Sequence, residues 1–70
     1  MKLYVGTICI REYGDQEVKI KYVGDSFIKC LNKLRKEKDY IYSHVEIWEN
    51  EELLERLYKH KYDSNWAKEK

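Results

Sequence analysis

The chain reads as an α+β domain of order ββαβα. The expected sheet has three antiparallel strands in the order 2-1-3, with a first helix on one face and a second helix at the C-terminus. Three observations predict this class. Residues 27–34 carry one apolar stripe at helical spacing, Phe27, Cys30, Leu31 and Leu34. Three stretches before and after it alternate with a period of two. A further stripe, Leu53, Leu54, Leu57 and Tyr58, again fits a helix. Seventy residues make a single domain, 1–70, with a small core and marginal stability.

The first strand is expected over 1–12. Leu3, Val5, Thr7 and Cys9 fall on one side and Tyr4, Gly6, Ile8 and Ile10 on the other, so both sides are apolar and the strand should be central. Tyr13-Gly14-Asp15-Gln16 signals a turn, with Gly14-Asp15 suited to a tight loop. The second strand, 16–23, alternates Val18, Ile20 and Tyr22 with Glu17, Lys19 and Lys21, the pattern of an edge strand guarded by lysine. A short loop would set Cys9 opposite Ile20 and Thr7 opposite Tyr22. The Leu3, Val5, Thr7, Cys9 side then joins Val18, Ile20 and Tyr22 as the surface that receives the helix.

The first helix is expected over 25–38. Gly24 breaks the strand before it, and Asp25 or Ser26 can accept a hydrogen bond from a first-turn amide. Lys29, Lys33 and Lys36 fall opposite the apolar stripe. Asp39 opens a short turn into the third strand, 40–48. There Ile41, Ser43, Val45 and Ile47 face one way, and Tyr40, Tyr42, His44, Glu46 and Trp48 the other. Asn50 is positioned to cap the second helix, 50–62, with Glu51 and Glu52 at its positive end and Lys59 to Lys61 at its negative end. Residues 63–70 read as a frayed tail.

The formal net charge is +1, yet the charges are segregated. Lys29 to Lys38 is basic, and Glu46 to Glu55 holds five acids, Glu46, Glu49, Glu51, Glu52 and Glu55, and no base. Opposed charged faces suit an oriented partner better than a general nucleic-acid binder. Cys9 and Cys30, the only cysteines, both fall on apolar sides. Reduced buried thiols and no secretory leader point to a cytoplasmic protein, and no run is long and apolar enough to span a membrane.

Little in the chain resembles reaction machinery. Nucleophilic catalysis needs a thiol or hydroxyl with a base in reach, and Cys30 and His44 fall on opposite sides of the expected sheet. The glycines, Gly6, Gly14 and Gly24, are too far apart for a phosphate loop. Cys9, Cys30, His44 and His60 lack the close pairing of structural zinc ligands. Neither a catalytic residue, nor a metal, nor a cofactor is expected, and the chain is read as a non-enzyme. Nucleic acid is the second reading. Tyr4, Tyr42, His44 and Trp48 would form an aromatic sheet face able to stack unpaired bases, with Lys19 and Lys21 at its rim. Lys29, Lys33 and Lys36 could follow a phosphate backbone.

Seven tyrosines and two tryptophans exceed what so small a core requires, and such side chains anchor protein interfaces. The leading expectation is a protein-binding module that uses Tyr4, Tyr42, His44 and Trp48, or the acidic patch Glu49, Glu51, Glu52 and Glu55. A homodimer that covers a bare sheet face is the third reading. The size and order of the chain (a hairpin over residues 2–23, the Gly24-Asp25-Ser26 hinge, the helix to Lys38, the strand Tyr40 to Trp48) resemble the small phage-encoded proteins that bind and block host enzymes or defence complexes. That resemblance implies a stoichiometric inhibitor of a host or defence protein.

Overall fold

The computed structural model describes residues 1–12, 15–38 and 40–68, with the side chains of residues 11, 12, 15 and 16 outside the description. β1 (Lys2–Glu12) and β2 (Asp15–Gly24) form an antiparallel hairpin. Asp15, expected in the turn, pairs with Glu12, and the turn expected at Tyr13-Gly14 lies outside the described residues. Cys9 stands opposite Val18 and Thr7 opposite Ile20. This differs by two residues from the expected register, so the same side chains still share a face. An irregularity between Gly6 and Thr7 then moves Tyr22 opposite Gly6, on the other face. There its hydroxyl accepts a hydrogen bond from the Ser26 N–H at 3.3 Å, tying the hairpin to the start of the helix.

α1 (Phe27–Arg35) is capped by Ser26, whose hydroxyl accepts from the Lys29 N–H at 3.2 Å. It ends three residues before the expected Lys38, with Lys36 as its C-cap. The stripe is as expected, but the surface that receives it is the reverse one. Cys30 and Leu34 pack with Ile8 and Val45 into a buried cluster, with Tyr4, Ile10, Tyr22, Phe27, Leu31 and Ile47 around it. The helix therefore lies on the Tyr4, Gly6, Ile8, Ile10 side of β1, and Val5, Cys9, Val18 and Ile20 are left on the far side. Both alternations of β1 are apolar, so hydrophobicity alone does not choose between them. Gly6 does, because its missing side chain is the notch into which Cys30 and Leu34 fit.

β3 (Tyr42–Glu49) lies antiparallel to β1, pairing Tyr42 with Cys9, Val45 with Gly6 and Trp48 with Leu3. The second helix expected over 50–62 does not form. Its residues make β4 (Glu52–His60), antiparallel to β3, and β5 (Ala67–Lys68) adds to β4 from within the expected tail. The sheet is five-stranded, β2-β1-β3-β4-β5, and carries one helix, not three strands and two helices. Asn50 does not cap a helix. It and Glu51 adopt φ of 53° and 65° and join β3 to β4 through a two-residue turn. The helical reading of 53–58 failed because Leu57 and Lys59 also alternate with Tyr58 and His60. Pairing with the open edge of β3 outweighs the modest helix preference of Glu, Leu, Lys and Arg. No helix among the described residues is long and apolar enough to cross a membrane.

Candidate functional site: the helix-free face of the sheet

Strand alternation assigns each side chain to one of two faces. Helix-side positions are Tyr4, Gly6 and Ile8 on β1, Ser43, Val45 and Ile47 on β3, and Glu55, Leu57 and Lys59 on β4. On the opposite face β1 presents Leu3, Val5, Thr7 and Cys9, β2 Val18, Ile20 and Val23, and β3 Tyr42, His44, Glu46 and Trp48. β4 completes it with Leu53, Arg56, Tyr58 and His60. No helix among the described residues packs on this face, and of the residues on it only Cys9 is buried. Val18, Ile20 and Val23 keep 65%, 66% and 58% of their surface exposed, and Leu3, Tyr42 and Leu53 keep about 40%.

The site has an aromatic end and an apolar end. Tyr42 meets His60 edge-to-face at 4.9 Å between ring centroids and His44 at 6.4 Å, while Tyr62 lies 5.4 Å from His60. The cross-strand pair Tyr42–His60 holds both rings in fixed positions at little cost in rotamer freedom. The His60 region is further fastened by its N–H donating to the Asp63 carboxylate at 3.3 Å and the Tyr62 N–H donating to His60 Nδ1 at 3.3 Å. At the other end Met1, Leu3 and Trp48 line a shallow hollow of about 210 Å³, closed by Glu49, Asn50 and Glu51. The charged residues of β3 and β4 on this face, Glu46 and Arg56, pair across the strands at 3.6 Å.

Tyr42, His44 and Trp48 share this face by strand alternation, with Tyr42 and His44 at one end and Trp48 at the other. Tyr4 does not join them. It lies beneath the helix with its ring 5.4 Å from that of Phe27, because it shares the alternation of Gly6 and Ile8. The acidic residues are not one helix face. Glu49, Glu51 and Glu52 gather at the β3–β4 turn, where Glu49 also meets the N-terminal ammonium at 4.0 Å. Glu55 lies on the helix side and pairs with Lys68 at 2.7 Å. That bond, and then the carboxylate's charge, raises the Lys68 ammonium above its ordinary range. Lys19 and Lys21 are not at the rim of the aromatic face. Lys19 is in register with Ile8, and Lys21 pairs with Glu37 at 3.3 Å, both on the helix side. Lys29, Lys33 and Lys36 line the exposed back of α1.

Val18, Ile20, Val23, Leu53, Tyr58 and His60 were absent from the expected site. The signal for the β2 residues was present in β1, which is apolar on both alternations although one short helix covers a single face. A helical reading of 50–62 gives the β4 residues no place on the sheet. Cys30 is fully buried against Gly6, and loss of hydration pushes its thiol up to about 11. It therefore stays protonated at neutral pH and is a packing group, not a nucleophile. Among the described residues no three potential metal ligands gather. Comparison of the chain with protein-family models, with curated proteins and with solved structures finds no match in any of the three.

Proposed function

We propose that this chain is a protein-interaction domain that works through the helix-free face of its sheet, and that the surface it takes is the same face of a second copy. The observation that carries this reading is the concentration of exposed apolar side chains on one side of the sheet, with Ile20 at 66% and Val18 at 65% exposure. Isolated exposed hydrophobics are ordinary, but a contiguous patch on a sheet marks an interface. A sheet apolar on both faces is normally covered on both.

Size and charge favour a second copy. The molecule measures 38 × 20 × 19 Å, so a face 38 Å long and 20 Å wide offers on the order of 800 Å², one side of a standard interface. Glu46 and Arg56 neutralise each other within the face, so two copies meet without net repulsion. Lys19, Lys21, Lys29 and Lys33 stay on the helix side, away from the contact. Two copies would form a four-layer sandwich with the helices outermost and the Tyr42–His60 cluster buried.

Sedimentation velocity from roughly 1 to 100 μM tests this, a range that brackets interfaces of moderate strength. The wild type is expected to sediment as a dimer over the upper part of that range. Ile20→Lys is expected to sediment as a monomer with an unchanged circular dichroism spectrum. A wild type that remains monomeric throughout overturns the reading, as does a dimer that Ile20→Lys and Tyr42→Ala leave intact.

A further inference from the structure

On the other side of the sheet, where α1 ends, Leu31, Leu34, Arg35, Tyr40, Ser43, Lys59 and Trp66 line a half-open cavity of about 80 Å³. We propose that this cavity binds the phosphate group of a small ligand, with Arg35 and Lys59 as its cationic donors. This site is separate from the helix-free face and does not depend on its role.

Three features carry the assignment. The cavity has two cations in its wall and no carboxylate, although acids make up 13 of the chain's 70 residues. Among the described residues neither Arg35 nor Lys59 forms an ion pair, so no acid of this side competes for the two cations, as Glu37 does for Lys21 and Glu55 for Lys68. A guanidinium and an ammonium in one wall form a donor set suited to an oxyanion.

The second feature is the way the wall is built. β5 is only two residues long, yet its pairing with Leu57 and Tyr58 holds the preceding Trp66 over the sheet, partly buried against the core. Lys59 then lies 5.8 Å from the Trp66 ring centroid, which keeps its ammonium beside the cavity. Ser43 is the only buried polar residue among those described, 2% exposed, and its hydroxyl donates to the Lys59 carbonyl at 3.4 Å. That bond fastens the strand position from which Lys59 projects.

The third feature is size. The pocket has room for one tetrahedral oxyanion, which would displace the waters held there. A sugar or base carried by that oxyanion would lie against the Trp66 and Tyr40 rings of the wall. A free phosphate and a mononucleotide share the chemistry of the buried part and differ only in that outer contact.

The test follows Trp66 fluorescence in a Trp48→Phe background while inorganic phosphate or a nucleoside monophosphate is added, up to roughly 10 mM. Saturable binding is expected, weakened at least about tenfold by Lys59→Gln or Arg35→Gln, the loss of one charge-assisted bond. Lys33→Gln, on the exposed back of the same helix, is expected to change it less than about twofold, since exposed charges are screened. Equal affinity for the two ligands identifies free phosphate as the occupant, and a much tighter nucleotide identifies stacking on Trp66. No saturable change with either ligand overturns the proposal. So does a Lys33→Gln effect equal to that of Lys59→Gln, which would reveal a diffuse positive field and no site.

Discussion

Gly6 and Cys30 meet across the helix–sheet interface with no room for a methyl group between them: a Cβ on Gly6 would stand 2.7 Å from Cys30 Sγ and 3.4 Å from both methyls of Leu34. Neither the sheet backbone nor a buried helical side chain can yield such a distance without moving the helix. Gly6→Ala is therefore expected to destabilise the fold by about 1–3 kcal/mol, the usual cost of overpacking. Urea denaturation measures it. An unchanged midpoint would place α1 on the other face.

The two sides of α1 should differ sharply on truncation. Leu34 is 2% exposed and Ile28 71% exposed. Leu34→Ala is expected to lose about 2–5 kcal/mol, and Ile28→Ala to stay within about 0.5 kcal/mol of wild type. Comparable losses from the two would mean the helix is rotated about its axis.

Cys30 links stability to pH in one direction. Its thiol is raised from the ordinary 9.0 to about 11 in the folded chain, so the folded state holds the proton more tightly than the unfolded state. The resulting stabilisation is fully present below pH 9 and is lost as the pH climbs toward 11. Denaturation series at rising pH should show this decline in the wild type, and Cys30→Ala should flatten it. The same burial predicts that a thiol reagent labels Cys30 at pH 8 only at the rate of unfolding.

Glu51 sits at φ 65°, a conformation costly for a residue with a Cβ. Glu51→Gly is expected to raise stability by roughly 0.5–1 kcal/mol, because glycine enters that region freely. In the first turn of a helix the same change would lower it. Thermal unfolding of this one variant separates the β3–β4 hairpin from the helix its residues resemble.

Much of the fold was legible wherever local pattern and tertiary pairing agree. Phe27, Cys30, Leu31 and Leu34 repeat at helical spacing behind a Ser26 cap, and the β1–β2 alternation is clear, so the helix and the first hairpin follow from nearest neighbours alone. The same holds for Tyr42, His44 and Trp48, which share a face because a strand alternates whatever it packs against. The segment 52–60 was not legible, since its glutamates and leucines, with Arg56 and Lys59, fit a helical stripe as well as an extended pattern. The choice between them came from pairing with the free edge of β3 across the Asn50-Glu51 turn, which the periodicity of 52–60 taken alone does not display.

What the residues determined by themselves was the helix, the first three strands and the alternation of each strand. Which face of the sheet would be covered was settled only by tertiary structure. β1 is apolar on both sides, and the difference between them is an absent side chain at Gly6, visible only when the helix is laid against it. That one contact left Val18 and Ile20 bare on the face of Tyr42, while Arg35, Lys59 and Trp66 came together on the opposite side from α1, β4 and the segment before β5.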